Sequence, residues 1–118
     1  MGSRPNVSGI PSAEAMIAGY KQIIARAHAK GLKVIGATIA PYEGAAYYTP
    51  EGDAVRQQIN EWIRTGGAYD GVIDFDAVWR DPANPKRIKA DLQAGDWLHG
   101  NDAGYTAFGD AVPLKLFN

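Results

Sequence analysis

Residues 96–105 read D-W-L-H-G-N-D-A-G-Y, and this stretch decides how the rest of the sequence is interpreted. It places Asp96 three residues before His99, directly ahead of a strong helix start at Asn101 or Asp102. A catalytic histidine needs a loop position at the mouth of a fold and a carboxylate that fixes its tautomer and stabilises its imidazolium. The D-x-x-H spacing on a non-helical turn supplies both, so Asp96 and His99 are the candidate catalytic residues.

Three amphipathic helices are predicted around this stretch. The first begins at the N-cap Ser12 and ends at Gly31, a residue suited to a left-handed cap. The second begins at the N-cap Thr49, which is followed by proline at the first helical position. The third begins within residues 96–105 and continues to a proline that bends or interrupts it.

Two short apolar strands separate these helices, at residues 33–39 and 71–75. Their β-branched residues and lack of alternation are typical of parallel strands buried on both faces. The predicted fold class is therefore α/β, in the order αβαβα, with a parallel sheet and right-handed crossovers. Residues 1–11 are expected to form an extended lead-in to a single domain at 12–118. Residues 76–100 are expected to form a long loop, which inside a compact domain is usually functional.

The composition argues against several kinds of binding partner. The chain has 118 residues, a net charge of −1 and no cysteine. It has no basic footprint for nucleic acid or an anionic membrane surface, and no apolar run long enough for a membrane span. Without cysteine there is no disulfide framework and no thiolate chemistry. The compartment stays open.

Residues 96–105 closely resemble the last conserved block of the SGNH hydrolases, also called GDSL-type lipases and esterases. In that family the block reads roughly D-x-L-H-P-N-D-x-G-Y. Residues 13–117 also follow the family's C-terminal order of helices, strands and long loops. The resemblance implies a partial three-layer α/β/α arrangement, the flavodoxin-like SGNH fold.

The resemblance also implies a function. His99 would be the base and Asp96 its orienting carboxylate in the hydrolysis of a small acyl ester, with no metal or organic cofactor. Trp97, next to this pair, is the favoured substrate-binding residue. The acyl group, the alcohol and the compartment stay open; a secreted parent protein is one option.

Three departures from the family's pattern set a limit on activity. The sequence contains no G-D-S nucleophile segment and no G-x-N-D segment, and Gly100 replaces the family's usual proline. Its serines are confined to Ser3, Ser8 and Ser12. The expectation is that the chain is the C-terminal part of a hydrolase, inactive or very weak alone, because nucleophile, base and oxyanion donors act as a unit.

A second hypothesis comes from a different class: a non-catalytic, self-assembling α/β module. Two strands leave sheet edges and helix faces unpaired, which favours a homodimer or higher homo-oligomer, with exchange of an identical element as one route. A third option, a residual esterase that uses His99 or Thr38 as nucleophile, has no positive support in the sequence.

Weaker candidates are given their structural interpretation. A metal site from Asp96, His99 and Asp102 lacks a second histidine cluster. The strand-end carboxylates Asp74 and Asp76 are expected to bind nearby loop amides, and His28, inside the first helix, is expected to be a surface or boundary residue. Loop packing is the default expectation for four further aromatic residues, with the lining of an acyl or sugar pocket as the alternative: Tyr42, Tyr47, Tyr48 and Trp79. A solvated loop of mixed charge is expected where basic residues alternate with Asp81 and Asp91, namely at Lys86, Arg87 and Lys89.

Overall fold

The computed structural model describes residues 11–117, so the predicted lead-in lies almost wholly outside the described residues. Two long helices, α1 (Ala13–Ala29) and α2 (Pro50–Thr65), alternate with two short strands, β1 (Ile35–Ala37) and β2 (Gly71–Ile73). A short helix α3 (Phe75–Trp79), strands β3 (Arg80–Asp81) and β4 (Asn84–Ile88), and a 3₁₀ helix (Ala90–Leu92) come next. Helix α4 (Asp102–Ala111) and a second 3₁₀ helix (Leu114–Phe117) complete the order. None of these helices is long and apolar enough to cross a membrane.

The predicted helix starts are confirmed by their caps. The Ser12 hydroxyl accepts a hydrogen bond from the backbone N–H of Ala15 at 3.1 Å, which satisfies one of the donors at the start of α1. Thr49 does the same for α2 by accepting from the N–H of Gly52 at 3.0 Å. Gly31 follows α1 with φ +75°, the left-handed conformation predicted for it.

Strands β1 and β2 pair in parallel, as predicted, with Ile35 opposite Gly71. Both strands are shorter than the predicted runs at 33–39 and 71–75. Side chains take the backbone donors at the ends of β1: the Asp70 carboxylate accepts from the N–H of Val34 at 2.7 Å, and the Asn60 amide oxygen accepts from the N–H of Ile39 at 2.7 Å. These N–H groups therefore have side-chain acceptors in place of strand partners.

The prediction of one long loop at residues 76–100 is wrong. The Asp74 carboxylate caps α3 by accepting from the N–H of Ala77 at 3.1 Å. Strands β3 and β4 then pair as an antiparallel hairpin, whose turn is held by a bond from the N–H of Ala83 to the Asp81 carboxylate at 2.9 Å. The hairpin strands are two and five residues long and bear prolines nearby, so they lack the periodic pattern that would reveal them.

Apolar side chains gather in two places. Helices α1 and α2 pack through a cluster built on Ala13, Ile59 and Ile63. A second, aromatic cluster joins α3 to α4, where the ring of Phe108 stacks on Trp79 at 3.9 Å and on Phe75 at 4.1 Å. This second cluster fixes α4, and with it the turn that precedes α4.

Candidate functional site

The Asp96–His99 turn lies between the first 3₁₀ helix and α4, and the Asp96 carboxylate organises it. One carboxylate oxygen, Oδ1, accepts from the N–H of Leu98 at 3.0 Å and from the N–H of His99 at 2.9 Å. The other, Oδ2, lies 2.6 Å from Nδ1 of the His99 ring. The predicted contact between the carboxylate and the ring is confirmed as geometry.

These contacts have an electrostatic consequence. The hydrogen bond from the His99 ring, followed by those from the backbone N–H groups of His99 and Leu98, holds the pKa of the Asp96 carboxyl well below its usual range. Asp96 is therefore an anion near neutral pH. It faces Nδ1 of a ring whose side chain is 64% exposed, and within residues 11–117 no group is hydrogen-bonded to Nε2.

The turn is tied back to the chain on both sides. The side-chain oxygen of Gln93 accepts from the N–H of Gly95 at 2.6 Å and from the N–H of Trp97 at 3.1 Å. On the other side, Asn101 caps α4 by accepting from the N–H of Gly104 at 2.9 Å, and its amide donates to the carbonyl of Asp91 at 2.9 Å. Of the two predicted caps, Asn101 rather than Asp102 makes this bond.

Gly100, immediately after His99, lies under the indole of Trp79. A Cβ atom at position 100 would come within 2.4 Å of that ring. Trp79 is only 3% exposed, and its indole N–H donates to the carbonyl of Gly104 at 2.9 Å. Trp79 is therefore a structural residue, but it packs between α3 and α4 rather than within a loop, and its ring leaves room only for glycine at position 100.

Trp97 is half-buried, and its ring lies against Gly44 of the loop after β1 and against Arg87 of β4. The Arg87 guanidinium carbon is 4.7 Å from the centre of the indole ring. The expected substrate-binding role of Trp97 stays a prediction. The expectation that Arg87 lies on a solvated loop is wrong. Arg87 belongs to a paired strand, and its guanidinium lies over the Trp97 ring.

An open cavity of about 540 Å³ adjoins the turn through Leu98. It extends between the start of α1, the loop after β1 and the first half of α2, and its lining is mostly apolar. Burial, and next the nearby Asp53 carboxylate, raise the pKa of Tyr42 in this lining, which keeps its phenol neutral. The cavity is lined by Met16, Ile39, Ala40, Tyr42, Tyr47, Thr49, Gly52, Val55, Arg56, Ile59 and Leu98.

Arg56 brings a charge to this lining, but buried carboxylates neutralise it. Its Nε donates to Asp53 at 2.9 Å and its Nη1 donates to Asp76 at 2.7 Å. All three side chains are at least nine-tenths buried. A guanidinium held in this way is not available to a ligand anion, so the chemistry of the cavity suits a neutral, apolar group.

The strand-end carboxylates are structural, with partners that differ in part from those expected. Asp76 accepts from Arg64 at 2.7 Å and Arg80 at 2.9 Å, in addition to Arg56, and among residues 11–117 no loop amide donates to its carboxylate. Hydrogen bonds from Arg64 lower the pKa of Asp74 to about 2, with smaller contributions from the Thr38 hydroxyl and a backbone N–H. These charged groups bind one another and hold the ends of β1 and β2 to α2.

Thr38 does not fit the role of an alternative nucleophile. Its side chain lies in the buried end of the same cluster, and Thr38 is 5% exposed. Its hydroxyl donates to Asp74 at 2.8 Å and accepts from the backbone N–H of Asp76 at 2.9 Å. The acceptor of its proton, the Asp74 carboxylate, has a pKa lowered to about 2 by Arg64, which makes it a weak base for activating a nucleophile.

A second histidine–aspartate contact gives a useful comparison. Nε2 of His28, near the end of α1, lies 2.7 Å from the Asp70 carboxylate before β2. The His28 side chain is 42% exposed, which confirms the expectation of a residue near the surface. The carboxylate holds Nε2 here but Nδ1 in His99, so the two rings present different nitrogens to their surroundings.

Asp96, His99 and Asp102 do not form a metal-binding group. Across the part of the chain that the structure describes, no cluster of three or more His, Cys, Asp or Glu side chains could hold a metal ion. Asp102 lies in the first turn of α4, beyond the cap that Asn101 provides.

Comparison with known families decides the lineage. The profile of the GDSL-like Lipase/Acylhydrolase family matches residues 6–107, most of the chain, including the Asp96–His99 turn. The chain belongs to this family. A comparison with curated proteins found no match.

Membership of the GDSL-like family confirms the resemblance and supports an ester hydrolase lineage. The mixed α/β structure with a small parallel sheet is compatible with the fold of that family. Sequence reasoning missed Gln93, Gly44 and the buried Arg56, which support the turn or the cavity. Gly44 contacts Trp97 and Arg56 contacts Asp76 across long stretches of chain, so the local sequence pattern gives no signal for these contacts. The bonds of Arg56 with Asp53 and of Gln93 with the turn are local, and sequence reasoning overlooked them.

Proposed function

We propose that this chain supplies the base and the orienting carboxylate of a serine-type carboxylic ester hydrolase. The observation that carries the proposal is the 2.6 Å contact between Nδ1 of His99 and the Asp96 carboxylate, made by an exposed side chain. In a Ser-His-Asp triad the carboxylate holds Nδ1, and Nε2 exchanges the proton with the nucleophile. In His99 the carboxylate likewise holds Nδ1 and leaves Nε2 for a nucleophile. In His28 the Asp70 carboxylate holds Nε2 instead, so that ring is not arranged as in a triad.

The nucleophilic serine and the oxyanion donors would come from a polypeptide segment outside these 118 residues. The sequence has no G-D-S segment, and the Ser12 hydroxyl caps α1. That segment would also supply the strands that turn the two-stranded sheet into the three-layer α/β/α arrangement of the SGNH fold. The present chain would then be the C-terminal part of the hydrolase domain.

Each half of the reaction uses Nε2 of His99. In the first half, Nε2 would take the proton of the serine hydroxyl as the serine oxygen bonds to the ester carbonyl carbon. It would then give that proton to the departing alcohol. Water would enter in the second half, where His99 takes a proton from water and returns it to serine as the acid leaves. Asp96, an anion near neutral pH, would stabilise the imidazolium in both halves.

The cavity beside Leu98 supports a small acyl ester as substrate. It meets the turn at Leu98, the residue before the proposed base, its lining is mostly apolar, and its arginine is bound by carboxylates. An apolar acyl or alcohol group would fit there without an unpaired charge.

The test is the coding sequence directly upstream of this chain, joined to it in its natural frame. We expect that sequence to contain G-D-S and G-x-N-D, and the longer protein to hydrolyse a short-chain aryl ester. His99→Ala should lower kcat/KM by at least about 10³-fold and Asp96→Asn by about 10⁴-fold. His28→Ala is the matched control and should retain activity. Absence of both segments, or hydrolysis that does not depend on His99, would refute the proposal.

The 118-residue chain by itself gives a second test. It should hydrolyse the same ester little faster than free imidazole, because nucleophile activation and the oxyanion hole are both missing from it. A robust rate that His99→Ala abolishes would show that another nucleophile has been recruited.

A further inference from the structure

Trp97 has an unusual backbone conformation for a large side chain. Its φ is +59°, and it is the one residue other than glycine with positive φ in the described part of the chain. Bulky residues rarely adopt this left-handed conformation, and they keep it only where their surroundings hold them there. Trp97 lies directly between Asp96 and Leu98, so whatever holds it also shapes the Asp96–His99 turn.

Two residues from other elements contact the Trp97 ring. Gly44 has φ +100°, and a Cβ atom there would lie 2.9 Å from Cγ of Trp97. The bare glycine backbone thus allows a close approach that any side chain would block. Arg87 places its guanidinium carbon 4.7 Å from the centre of the indole ring, a cation–π contact.

Gly44 and Arg87 are themselves joined through Glu43. The Glu43 carboxylate accepts from the Asn84 amide at 2.7 Å and lies 3.6 Å from Nε of Arg87. The N–H of Glu43 donates to the carbonyl of Lys86 at 2.9 Å. The loop after β1 and strand β4 therefore form one surface, against which the Trp97 ring rests.

We propose that Trp97 is a positioning residue, whose ring contacts with Gly44 and Arg87 hold the turn in the conformation that lets Asp96 orient the His99 ring. The positive φ of Trp97 directs the next two N–H groups, those of Leu98 and His99, onto Asp96 Oδ1. Those bonds fix the carboxylate so that its second oxygen meets Nδ1 of His99. A catalytic role for the oriented His99 ring rests on the proposed function, but the orientation of the ring by Asp96 can be measured directly.

The measurement is NMR on the 118-residue chain with ¹⁵N-labelled histidine and ¹³C-labelled aspartate, under conditions where the His99 ring is neutral. In the parent chain we expect the Nδ1–H tautomer of His99, because that proton is donated to the carboxylate. Trp97→Ala should convert His99 mainly to the Nε2–H tautomer and raise the pKa of Asp96 towards its usual range. Trp97→Phe, which keeps Cβ, Cγ and a ring against Gly44, should restore the Nδ1–H tautomer.

Two glycine variants separate positioning from general loss of stability. Gly44→Ala should shift the His99 tautomer, because its Cβ displaces the Trp97 ring. Gly67→Ala meets the same kind of backbone strain at φ +68°, but nothing lies within 4 Å of its Cβ, so the tautomer should not change. An Nδ1–H tautomer that survives both Trp97→Ala and Gly44→Ala would overturn the proposal.

A third variant covers the case in which Trp97→Ala does not fold. Arg87→Met keeps an unbranched side chain beside the ring and removes the cation, and it should shift the tautomer in the same direction; no shift would count against the proposal. These results do not depend on catalysis. A longer protein whose hydrolysis ignores His99 would refute the proposed function and leave the positioning of the ring by Trp97 intact.

Discussion

Arg56 donates a hydrogen bond from Nη1 to Asp76 at 2.7 Å, and both side chains are more than nine-tenths buried. This contact joins α2 to the start of α3, and Arg56 itself lines the cavity. Arg56 also donates to the buried carboxylate of Asp53 at 2.9 Å. Removing Arg56 would leave Asp53 as a buried charge without a cation, whereas Asp76 would keep its bonds from two other arginines. The stability of the site's scaffold therefore depends on Arg56.

Arg56→Met should accordingly lower the free energy of unfolding by about 3–5 kcal/mol. Arg80→Met is the matched control, because Arg80 also binds Asp76 but its side chain is 40% exposed. That variant should cost no more than about 1 kcal/mol. Urea unfolding followed by circular dichroism measures both changes, and equal losses would contradict the interpretation that burial decides the effect.

The second prediction concerns acid. The pKa of Asp74 is about 2 in the folded chain against a reference of 3.8, mainly because Arg64 donates hydrogen bonds to its charged form. A lowered folded pKa contributes stability that is fully present above the unfolded value and is lost as pH falls through the folded value. Asp74 should therefore stabilise the chain near neutral pH and lose that contribution between about pH 4 and pH 2.

Asp74→Asn tests this by comparing urea midpoints near neutral pH and in acid. The variant should unfold at a lower urea concentration than the unsubstituted chain near pH 6, and the difference should shrink in acid. A deficit of Asp74→Asn that stays the same at both pH values would show that its charge is not what matters.

Side-chain contacts between residues close together in sequence were the easiest to predict. Ser12, Thr49 and Asn101 cap helices through bonds that span three residues, and Asp96 reaches His99 over the same spacing. Such local geometry is available to sequence reasoning because one turn of chain determines it. The parallel pairing of β1 and β2 joins distant residues, such as Ile35 and Gly71, and is predictable for a different reason: two apolar runs separated by a helix favour a parallel pair.

Other contacts join distant positions and left no local pattern. Trp97 meets Gly44 across more than fifty residues, and Arg56 meets Asp76 across twenty. The β3–β4 hairpin was missed because its strands are too short to show alternation. Tertiary packing, rather than propensity, determines these features of the site's surroundings.

The third prediction concerns Gly100, where the family's block usually has proline. Gly100→Ala would bring a Cβ within 2.4 Å of the buried Trp79 ring, and the resulting overpacking should cost about 1–3 kcal/mol. Gly109→Ala, within α4, meets nothing within 4 Å and should instead stabilise by about 0.5–1 kcal/mol, since alanine is the better helix former. Thermal unfolding of the two variants gives opposite shifts in Tm if this account is right. A neutral Gly100→Ala would mean that Trp79 can move aside.

The last prediction is the assembly state of the 118-residue chain. Between residues 11 and 117 the parallel sheet has only β1 and β2, and exposed sheet edges readily pair with another chain. Several large apolar side chains are also exposed, among them Ile23, Leu32 and Tyr47 at 62%, 57% and 66%. A second copy of the chain can cover such surfaces in a closed two-fold arrangement, by continuing the sheet or by exchanging an element.

We therefore expect sedimentation at micromolar concentration to give a mass of about twice 12.7 kDa or more. Co-expression with the upstream segment proposed above should suppress this association, because that segment would occupy the same edges. A folded monomer of 12.7 kDa would show that the chain covers its own sheet edges, and it would remove the self-assembling module as an alternative function.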